Sequence, residues 1–444
     1  MAMRKEAISG LLGDNKKAVA INTILIANAF IWYSYAFNYL ITAIGTLGLT
    51  SQLLPIISIH FAGLFLALII GVLLVQKIKD RFNFLLLWTL AGVFLSLIPL
   101  ITGITYVGIV IFSVIEGVNF GFGIPTCLGY FASTTKPTNR GKLGGIIFLL
   151  TGIGTFMIAQ IGVESFLTAA LVLSIWRAFG LLTLMFVKPV EKPIFSQQNM
   201  SYRHIVSNRT FLLYFIPWVM FLFVNSLSFP INQKEFSPDL VSFSSNIEYV
   251  IGGLSAVIFG FFADSKGRKR LAVAGFALLG LGYGILGFTS GNIFGWWFYT
   301  FIDGVCWGSF VMIFVFALWG DIAEGRSSEK IYAVGIMPYL LSTYIRFSIG
   351  SIFANAIIDY ATIFSFASFF LFVAVLPLVF APETLSEQTI KNNDLKNYIN
   401  KAQKQVSKVQ EKQTKNEEKV EFQPESEKPP EEYERAQELA EKYY

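Results

Sequence analysis

Long apolar runs alternate with short polar segments along most of the chain. Each run is continuous rather than alternating, and each is about as long as the roughly 20 residues that a helix needs to cross a bilayer. A membrane β-barrel is excluded, because its strands would be only about 9–11 residues long and would alternate polar and apolar positions. We predict twelve membrane-spanning helices at about residues 18–44, 53–75, 84–104, 106–131, 143–164, 166–187, 211–233, 246–263, 271–289, 294–319, 332–356 and 360–381.

The basic residues of the connecting loops predict the orientation of these spans. If both ends of the chain lie in the cytoplasm, 20 Lys and Arg residues fall in the N-terminal segment and the inner loops, and only Lys234 falls in an outer loop. Basic residues favour the cytoplasmic side of a membrane. We therefore expect a multi-pass protein of the cell (plasma) membrane with both termini in the cytoplasm.

The composition supports a membrane protein and excludes an ordinary soluble enzyme. Charged residues make up 14% of the 444 residues, against about 25% in a soluble domain. The net charge of +5 does not indicate nucleic acid, because the basic residues are where membrane topology requires them. The two cysteines, Cys127 and Cys306, lie inside apolar runs, so they form no disulfide framework or zinc site.

Residues 386–444 differ from the rest of the chain. They hold 11 Lys and Arg and 13 Asp and Glu, too much charge for an independently packed domain. We expect a charged, partly helical tail on a monomeric protein, with weak self-association or partner binding as the alternative. That alternative depends on a short heptad pattern of apolar residues at Leu395, Ile399, Ala402, Val406 and Val409.

The two halves of the chain share a sequence pattern at a fixed spacing. Ile115-Glu116-Gly117-Val118 is matched 187 residues later by Ile302-Asp303-Gly304-Val305. Six spans followed by six have the same orientation, as in transporters built from two parallel repeats. The predicted segments are a cytoplasmic N-terminal segment 1–17, a six-helix bundle 18–187, a cytoplasmic linker 188–210, a second six-helix bundle 211–381 and a charged cytoplasmic tail 382–444.

The most specific motif follows the eighth run. Gly260-Phe-Phe-Ala-Asp264-Ser-Lys-Gly267-Arg268-Lys269-Arg270 resembles the signature loop of the major facilitator superfamily, G-x-x-x-D-x-x-G-R-[RK]-[RK]. Pro382-Glu383-Thr384-Leu385 is similar to the P-E-T of its sugar-porter members. The resemblance covers about residues 18–385. It implies an all-α membrane fold of two six-helix bundles, in which spans 1, 4, 7 and 10 line a central cavity and solutes move by alternating access.

The resemblance also implies a latch that joins the two halves on the cytoplasmic side. Asp264 would form the latch near Arg140 and the start of span 5. Membrane topology alone would explain the basic residues but not Asp264 or the glycines. The residues expected to form this latch are Gly260, Asp264, Gly267, Arg268 and Arg140.

The sequence also departs from the superfamily pattern in its first half. Val75 and Ile78 stand where the first copy of the motif would have Asp and Gly, and Ser113 stands where span 4 often has Arg. These departures weigh against the sugar-porter subfamily and against a conventional proton mechanism.

Four ionisable residues fall near the middle of predicted spans, at similar depth: Glu116, Arg177, Asp303 and Arg346. Such residues are costly in a membrane and commonly functional. They could form structural pairs within each half, Glu116 with Arg177 and Asp303 with Arg346. Alternatively, an Arg could bind an anionic group of a substrate, or an acid could carry a coupling proton. We favour Glu116 and Asp303 as the proton-coupling candidates, because they occupy equivalent repeat positions.

Polar and aromatic residues near the same depth complete a candidate substrate pocket, since small-molecule sites combine apolar walls with a few placed polar groups. Simple packing is the alternative explanation for each aromatic residue. The candidates for substrate binding are Arg346, Arg177, His60, Asn28, Tyr35, Asn38, Asn119, Asn225, Trp307 and Tyr344.

We therefore expect a secondary transporter of a small solute such as a sugar, an organic acid or another metabolite. Proton-coupled symport, export and simple facilitation are its alternative modes. Its partners would be the solute, the lipid bilayer and protons. The chain has no phosphate-binding loop and no cluster of metal ligands, so we expect no cofactor, no metal and no enzymatic activity. The alternative is a membrane receptor or sensor that has a transporter-like fold and signals through its cytoplasmic tail.

Overall fold

The described part of the chain is built from helices. A computed structural model describes residues 16–78, 80–159, 165–187, 200–323, 328–353 and 359–385, together with residues 390, 391 and 435. The twelve long helices within these ranges are α1 (Lys16–Thr46), α2 (Leu53–Val75), α3 (Arg81–Leu95), α4 (Tyr106–Thr134), α5 (Pro137–Ala159), α6 (Phe166–Phe186), α7 (Arg209–Phe236), α8 (Pro238–Lys266), α9 (Arg268–Phe288), α10 (Ile293–Phe310, continued to Ala323), α11 (Ser328–Phe353) and α12 (Tyr360–Phe380).

Eleven of these helices are long and apolar enough to cross a membrane, so the protein is a multi-pass membrane protein. The twelfth, α11, has 26 residues but is less apolar, because it carries Glu329, Lys330 and Arg346. The sequence placed the start of α8 at residue 246, whereas the helix begins at Pro238. Its first two turns contain Asp239, Ser242 and other polar residues that a hydropathy window rejects.

Side-chain caps explain where several helices start. Asp80 accepts a hydrogen bond from the Asn83 N–H at 3.0 Å before α3. Thr105 accepts one from the Gly108 N–H at 3.0 Å before α4. Such caps satisfy N–H groups that lack a partner inside the helix.

The inner face is defined here as the end of the bundle at which α1 begins and α12 ends, and the outer face as the opposite end. In the first half α2 packs against α4, and in the second half α8 packs against α10 and α9 against α12. The two halves meet where α5 packs against α8 and where α2 packs against α11. Inner and outer refer to the predicted orientation, which stays a prediction.

Close packing at these contacts uses glycine. A Cβ atom added at Gly121 on α4 would lie 2.3 Å from the Leu64 carbonyl oxygen, and one added at Gly308 on α10 would lie 2.1 Å from the Gly252 carbonyl oxygen. Gly121 and Gly308 are 187 residues apart, the same spacing as that between the two matched segments. The two halves therefore use equivalent backbone contacts between their second and fourth helices.

Helix α10 is irregular near its inner end. Val311–Ala317 forms a π-helical turn whose residues are all buried, and the helix continues as Leu318–Ala323. Isolated π turns are rare and occur frequently at functional sites. This one connects the part of α10 that carries Asp303 to the part that carries Asp321.

Contacts divide the chain into residues 1–387 and residues 388–444. The division into two six-helix bundles and a linker stays a prediction. The N-terminal segment before residue 16, most of the linker and the heptad positions of the tail lie outside the described residues.

Candidate functional site

A cavity of about 490 Å³ lies between the two halves. It is lined mainly by α1, α7, α8, α10 and α11, with Phe148 contributed by α5. On α7 the lining residues run from Asn225 to Gln233, close to the outer end of that helix, and on α8 they begin at Val241, near its outer start. The cavity therefore extends from the middle of the bundle toward the outer face.

Of the two acids that the sequence analysis favoured, Asp303 lies at this cavity. Its side chain is buried, and both of its oxygens accept from the Asn225 amide nitrogen at 3.4 Å. Trp307 lies one turn further along α10 and also lines the cavity. The structure thus brings together three of the residues that the sequence predicted.

Arg346 on α11 lines the same cavity. Its guanidinium carbon lies 4.0 Å from the centre of the Phe229 ring. Within the described residues it forms no ion pair with Asp303, so the structural pairing that was one of the alternatives is not formed. The guanidinium stacks on an aromatic ring instead, which is a favourable arrangement for arginine.

Glu248 on α8 is a third charged residue at the cavity and was missed by the sequence analysis. The apolar run was taken to begin at residue 246, so Glu248 appeared to lie at the edge of the membrane. Because α8 begins eight residues earlier, Glu248 lies well inside the helix. The sequence signal that could have identified Glu248 was its position four residues before Gly252, in the span that is the second-half counterpart of α2.

Glu116 is buried in α4 and does not line this cavity. Neither of its carboxylate oxygens has a hydrogen-bond partner in the described structure. Its closest ionisable neighbour is His60, whose Nδ1 lies 3.8 Å from Glu116 Oε2. His60 Nδ1 also contacts the Ser113 carbonyl oxygen at 2.8 Å, and Nε2 contacts the Tyr33 hydroxyl at 3.0 Å. Tyr33 lines the cavity, so it connects this buried pair to the cavity wall.

Arg177 has surroundings that differ from the prediction. It is fully buried, with its guanidinium carbon 4.8 Å from the Trp32 ring centre and 4.5 Å from the Trp88 ring centre. Its NH1 donates to Asn28 Oδ1 at 3.0 Å. The alternative in which Arg177 pairs with Glu116 is therefore not formed in the described structure, because two indole rings and an amide surround the guanidinium group.

The remaining predicted pocket residues do not line the cavity. Tyr35 is buried and Asn38 is exposed, whereas neighbouring α1 residues such as Ser34 and Phe37 form the wall. The Asn119 carbonyl accepts from Trp88 Nε1 at 2.6 Å, and the Tyr344 hydroxyl contacts Ser58 Oγ at 3.0 Å. Helix α4, which the superfamily resemblance placed at the cavity, contributes none of its described lining residues.

Polar contacts close the inner face between the two halves. Asp264 accepts from the Gly141 N–H at 2.9 Å and from the Lys142 N–H at 2.8 Å, in the first turns of α5. Arg268 NH2 lies 3.0 Å from Asp264 Oδ1. A carboxylate at the start of a helix is favourable, because the helix dipole is positive there. The structure therefore brings together Asp264 and the start of span 5, as the sequence suggested.

Arg140 does not bind Asp264 directly. It forms an ion pair with Asp321 on the inner part of α10, and Arg268 Nε lies 2.9 Å from the other Asp321 oxygen. Asp321 therefore links Arg140 of the first half to Arg268 of the second. The sequence analysis missed this acid because it lies at the junction of an apolar run and a loop.

Two further acids bind at the inner face, and the sequence analysis assigned neither of them a contact. Arg81 Nε, at the start of α3, lies 3.0 Å from Glu329 Oε1, at the start of α11. Glu383 accepts from the Arg268 N–H at 2.8 Å and from the Lys269 N–H at 3.0 Å. Glu383 thus caps α9, and Gly267 before that helix has φ 101°, a value that favours glycine.

No group of three or more His, Cys, Asp or Glu side chains among the described residues could hold a metal ion. Cys127 and Cys306 are both buried free thiols.

No family model matches the sequence, and no curated protein matches it either. Solved structures do match. The human organic anion transporter MFSD10 (TETRAN) has a TM-score of 0.57 at 14% identity, covering 82% of this chain and 100% of that one. The proton:xylose symporter XylE bound to 6-bromo-6-deoxy-D-glucose has a TM-score of 0.57 at 16% identity, covering 83% and 96%. FucP in the outward conformation has a TM-score of 0.61 at 10% identity, covering 82% and 99%.

All three similar structures are described as transporters, and two of them as members of the major facilitator superfamily. The chain therefore has the major facilitator fold, and the predicted fold class is confirmed.

Proposed function

We propose that the protein is a secondary transporter, rather than an enzyme, that moves a small solute across the plasma membrane by alternating access. The observation that carries this proposal is the position of the cavity between two halves that are joined at the inner face by polar contacts. Such contacts can break and re-form, so rocking of the halves would expose the same cavity to each side in turn. The similarity in fold to solved transporters supports the proposal.

In this proposal the contacts around Asp264 act as the cytoplasmic latch. Gly260 packs so closely on α5 that an added Cβ would lie 2.5 Å from the Gly141 carbonyl oxygen. Asp264 and Arg268 then hold the start of α5 and Asp321. The arrangement corresponds to an outward-facing state, in which the outer part of the cavity is accessible and the inner side is closed.

A proton is the proposed coupling ion, and Glu116 and Asp303 are its candidate carriers. An ionised Glu116 would have no hydrogen bond from the described residues, which is costly for a buried carboxylate. The link from Glu116 through His60 to Tyr33 offers a route between this carboxyl and the cavity. Asp303 lies at the cavity itself, where a solute can compete with a proton.

The proposed membrane orientation, oligomeric state and role of the tail are those that the sequence predicts. Both termini lie in the cytoplasm, the protein is a monomer, and Gln388–Tyr444 is a tail that transport does not require. No nucleic acid partner is proposed.

The proposal is tested first by thermal unfolding of the purified protein against sugars, organic acids, amino acids and amphipathic drugs, at pH 5 and pH 7.5. A ligand that binds only the folded state raises the melting temperature with its occupancy. Each ligand that stabilises the protein is then tested for uptake by proteoliposomes. Uptake above that of empty vesicles supports a transporter. Binding without uptake would contradict the proposal and favour the receptor.

A further inference from the structure

The charged groups of the cavity are unevenly distributed. Its described lining contains two carboxylates, Glu248 and Asp303, and one guanidinium, Arg346, all from the second half. None of the three forms an ion pair with another within the part of the chain that the structure describes. A largely enclosed cavity with an excess carboxylate favours a ligand that supplies the missing positive charge.

The three groups also retain capacity to bind a solute. Asp303 accepts long hydrogen bonds from the Asn225 amide, both 3.4 Å, and its side chain also lies within hydrogen-bonding reach of Tyr299. Arg346 stacks on Phe229 at 4.0 Å. Asn232, which is also buried in the wall, has a side-chain oxygen with no hydrogen-bond partner among the described residues. Trp296 Nε1, in the same wall, is a buried donor that also lacks a hydrogen-bond partner among the described residues.

The first half supplies the facing wall, and that wall is aromatic. Phe30, Tyr33 and Phe37 of α1 and Phe148 of α5 line the cavity, whereas none of the lining residues from this half is charged. Tyr33 is held in place by stacking on Phe120, with ring centres 4.0 Å apart. Aromatic faces attract cations, most strongly where water is partly excluded.

We propose that the solute of this cavity carries a positively charged nitrogen, which sits between the carboxylates of Asp303 and Glu248 and the aromatic wall of α1. This inference rests on the proposed function and names its substrate class. A volume of about 490 Å³ accommodates a small organic molecule. A dicarboxylate would meet two like charges, and a neutral polyol would leave the excess charge uncompensated, so both are disfavoured.

The test is thermal unfolding of the purified full-length protein with ligands of similar size and different charge. Choline and tetraethylammonium are the monocations, glycine betaine is the zwitterion, sorbitol is neutral and succinate is the dianion. We expect ammonium compounds at millimolar concentration to raise the melting temperature more than sorbitol or succinate. Asp303→Asn and Glu248→Gln should each weaken that binding at least about tenfold, because each change removes a negative charge that attracts the ammonium group and leaves the bound cation less well compensated. If one variant folds poorly, the other provides the test.

Asp239→Asn is the matched control, because Asp239 is exposed at the outer start of α8 and does not line the cavity. It should leave ammonium binding unchanged. Arg346→Gln distinguishes a zwitterionic solute from a monocation. It should weaken the binding of glycine betaine if Arg346 binds the carboxylate of a zwitterion, and leave the binding of choline unaffected.

The inference is overturned if no ammonium compound stabilises the protein, or if sorbitol or succinate stabilises it more. It is also overturned if ammonium binding survives both acid substitutions. The two proposals can fail separately. Uptake of a solute without a cationic nitrogen would refute only the substrate class, and ammonium binding without uptake would refute only transport.

Discussion

Glu116 and Asp303 occupy equivalent positions in the two halves but have different surroundings. An added Cβ at Gly117 would lie 2.6 Å from the His60 carbonyl oxygen, and one at Gly304 would lie 3.2 Å from the Glu248 carbonyl oxygen. His60 and Glu248 therefore take corresponding places beside the two acids. The first pair is buried away from the cavity, whereas the second lines it. We therefore expect a division of roles, in which Glu116 carries the proton and Asp303 binds the solute.

If that division holds, Glu116→Gln removes proton movement and leaves solute binding intact. The amide keeps the shape of the carboxyl but cannot exchange a proton with His60. We expect solute-driven acidification or alkalinisation of proteoliposomes to fall at least about tenfold, a change of about 1.4 kcal/mol, with an unchanged ligand-induced melting shift. Glu235→Gln, which alters an acid bound to Ser290 outside the cavity, is the control. Proton movement that persists in Glu116→Gln would exclude this carboxyl as the carrier.

The sequence identified some residues of the site and missed others for physical reasons. Asp303 and Arg346 were recognised because charge inside an apolar run is conspicuous. Glu248 was missed because polar neighbours on α8 hid the start of its helix. Arg177 was expected to need an acid, but two indole rings and Asn28 surround it instead.

At the scale of helices, the sequence predicted the number and order of the spans but not which side of each faces the cavity. Lipid and protein interior are both apolar, so a membrane helix need not show a polar side. On α1 the sequence suggested Tyr35 and Asn38, whereas Tyr33 and Phe37 line the wall. Helices α8 and α11 replace α4 at the cavity because contacts between the halves, which no single span reveals, determine the packing.

The contact between α5 and α8 predicts a difference between two glycines on one helix. An added Cβ at Gly145 would lie 2.3 Å from the Ala256 carbonyl oxygen, whereas one at Gly152 would meet no atom within 4 Å. Both Gly→Ala changes raise helix propensity by up to about 1 kcal/mol. Gly145→Ala should nevertheless destabilise the protein by about 1–3 kcal/mol through overpacking, and Gly152→Ala should not. Equal melting temperatures in the two variants would show that α5 and α8 are not so closely packed.

The latch predicts a shift between outward-facing and inward-facing states in Asp264→Asn. The change removes the charge that holds Gly141, Lys142 and Arg268. A loss of about 1.5 kcal/mol would change the ratio of the two states about tenfold. Labelling of a cysteine at Ser342, on the cavity wall, by a membrane-impermeant maleimide should become slower, with Cys127 and Cys306 replaced by Ser.

Asp239→Asn, on the exposed outer part of the same helix, should leave the labelling rate unchanged. A labelling rate that is equal in Asp264→Asn and the unsubstituted protein would show that Asp264 does not control access.

At the scale of the whole molecule, the described contacts that close the inner face join residues of the unit 1–387. Arg140 reaches Asp321, Arg81 reaches Glu329, and Glu383 caps α9 immediately after the last membrane helix. The sequence predicted the tail from its charge but could not predict that Glu383 belongs to the membrane unit, because P-E-T is too short a pattern to specify a contact.

Deletion of residues 386–444 therefore separates a transporter from a receptor. If the cavity and the inner-face contacts are sufficient for function, the shortened protein should retain its melting temperature and at least about half of the uptake activity, since none of the described closing contacts is removed. A second deletion that begins at residue 383 serves as the comparison. It removes the cap that Glu383 provides for the first turn of α9, which is worth about 0.5–2 kcal/mol, and should lower the melting temperature. If deletion of residues 386–444 abolishes function but leaves stability and ligand binding unchanged, the tail carries the signal, as the receptor alternative requires.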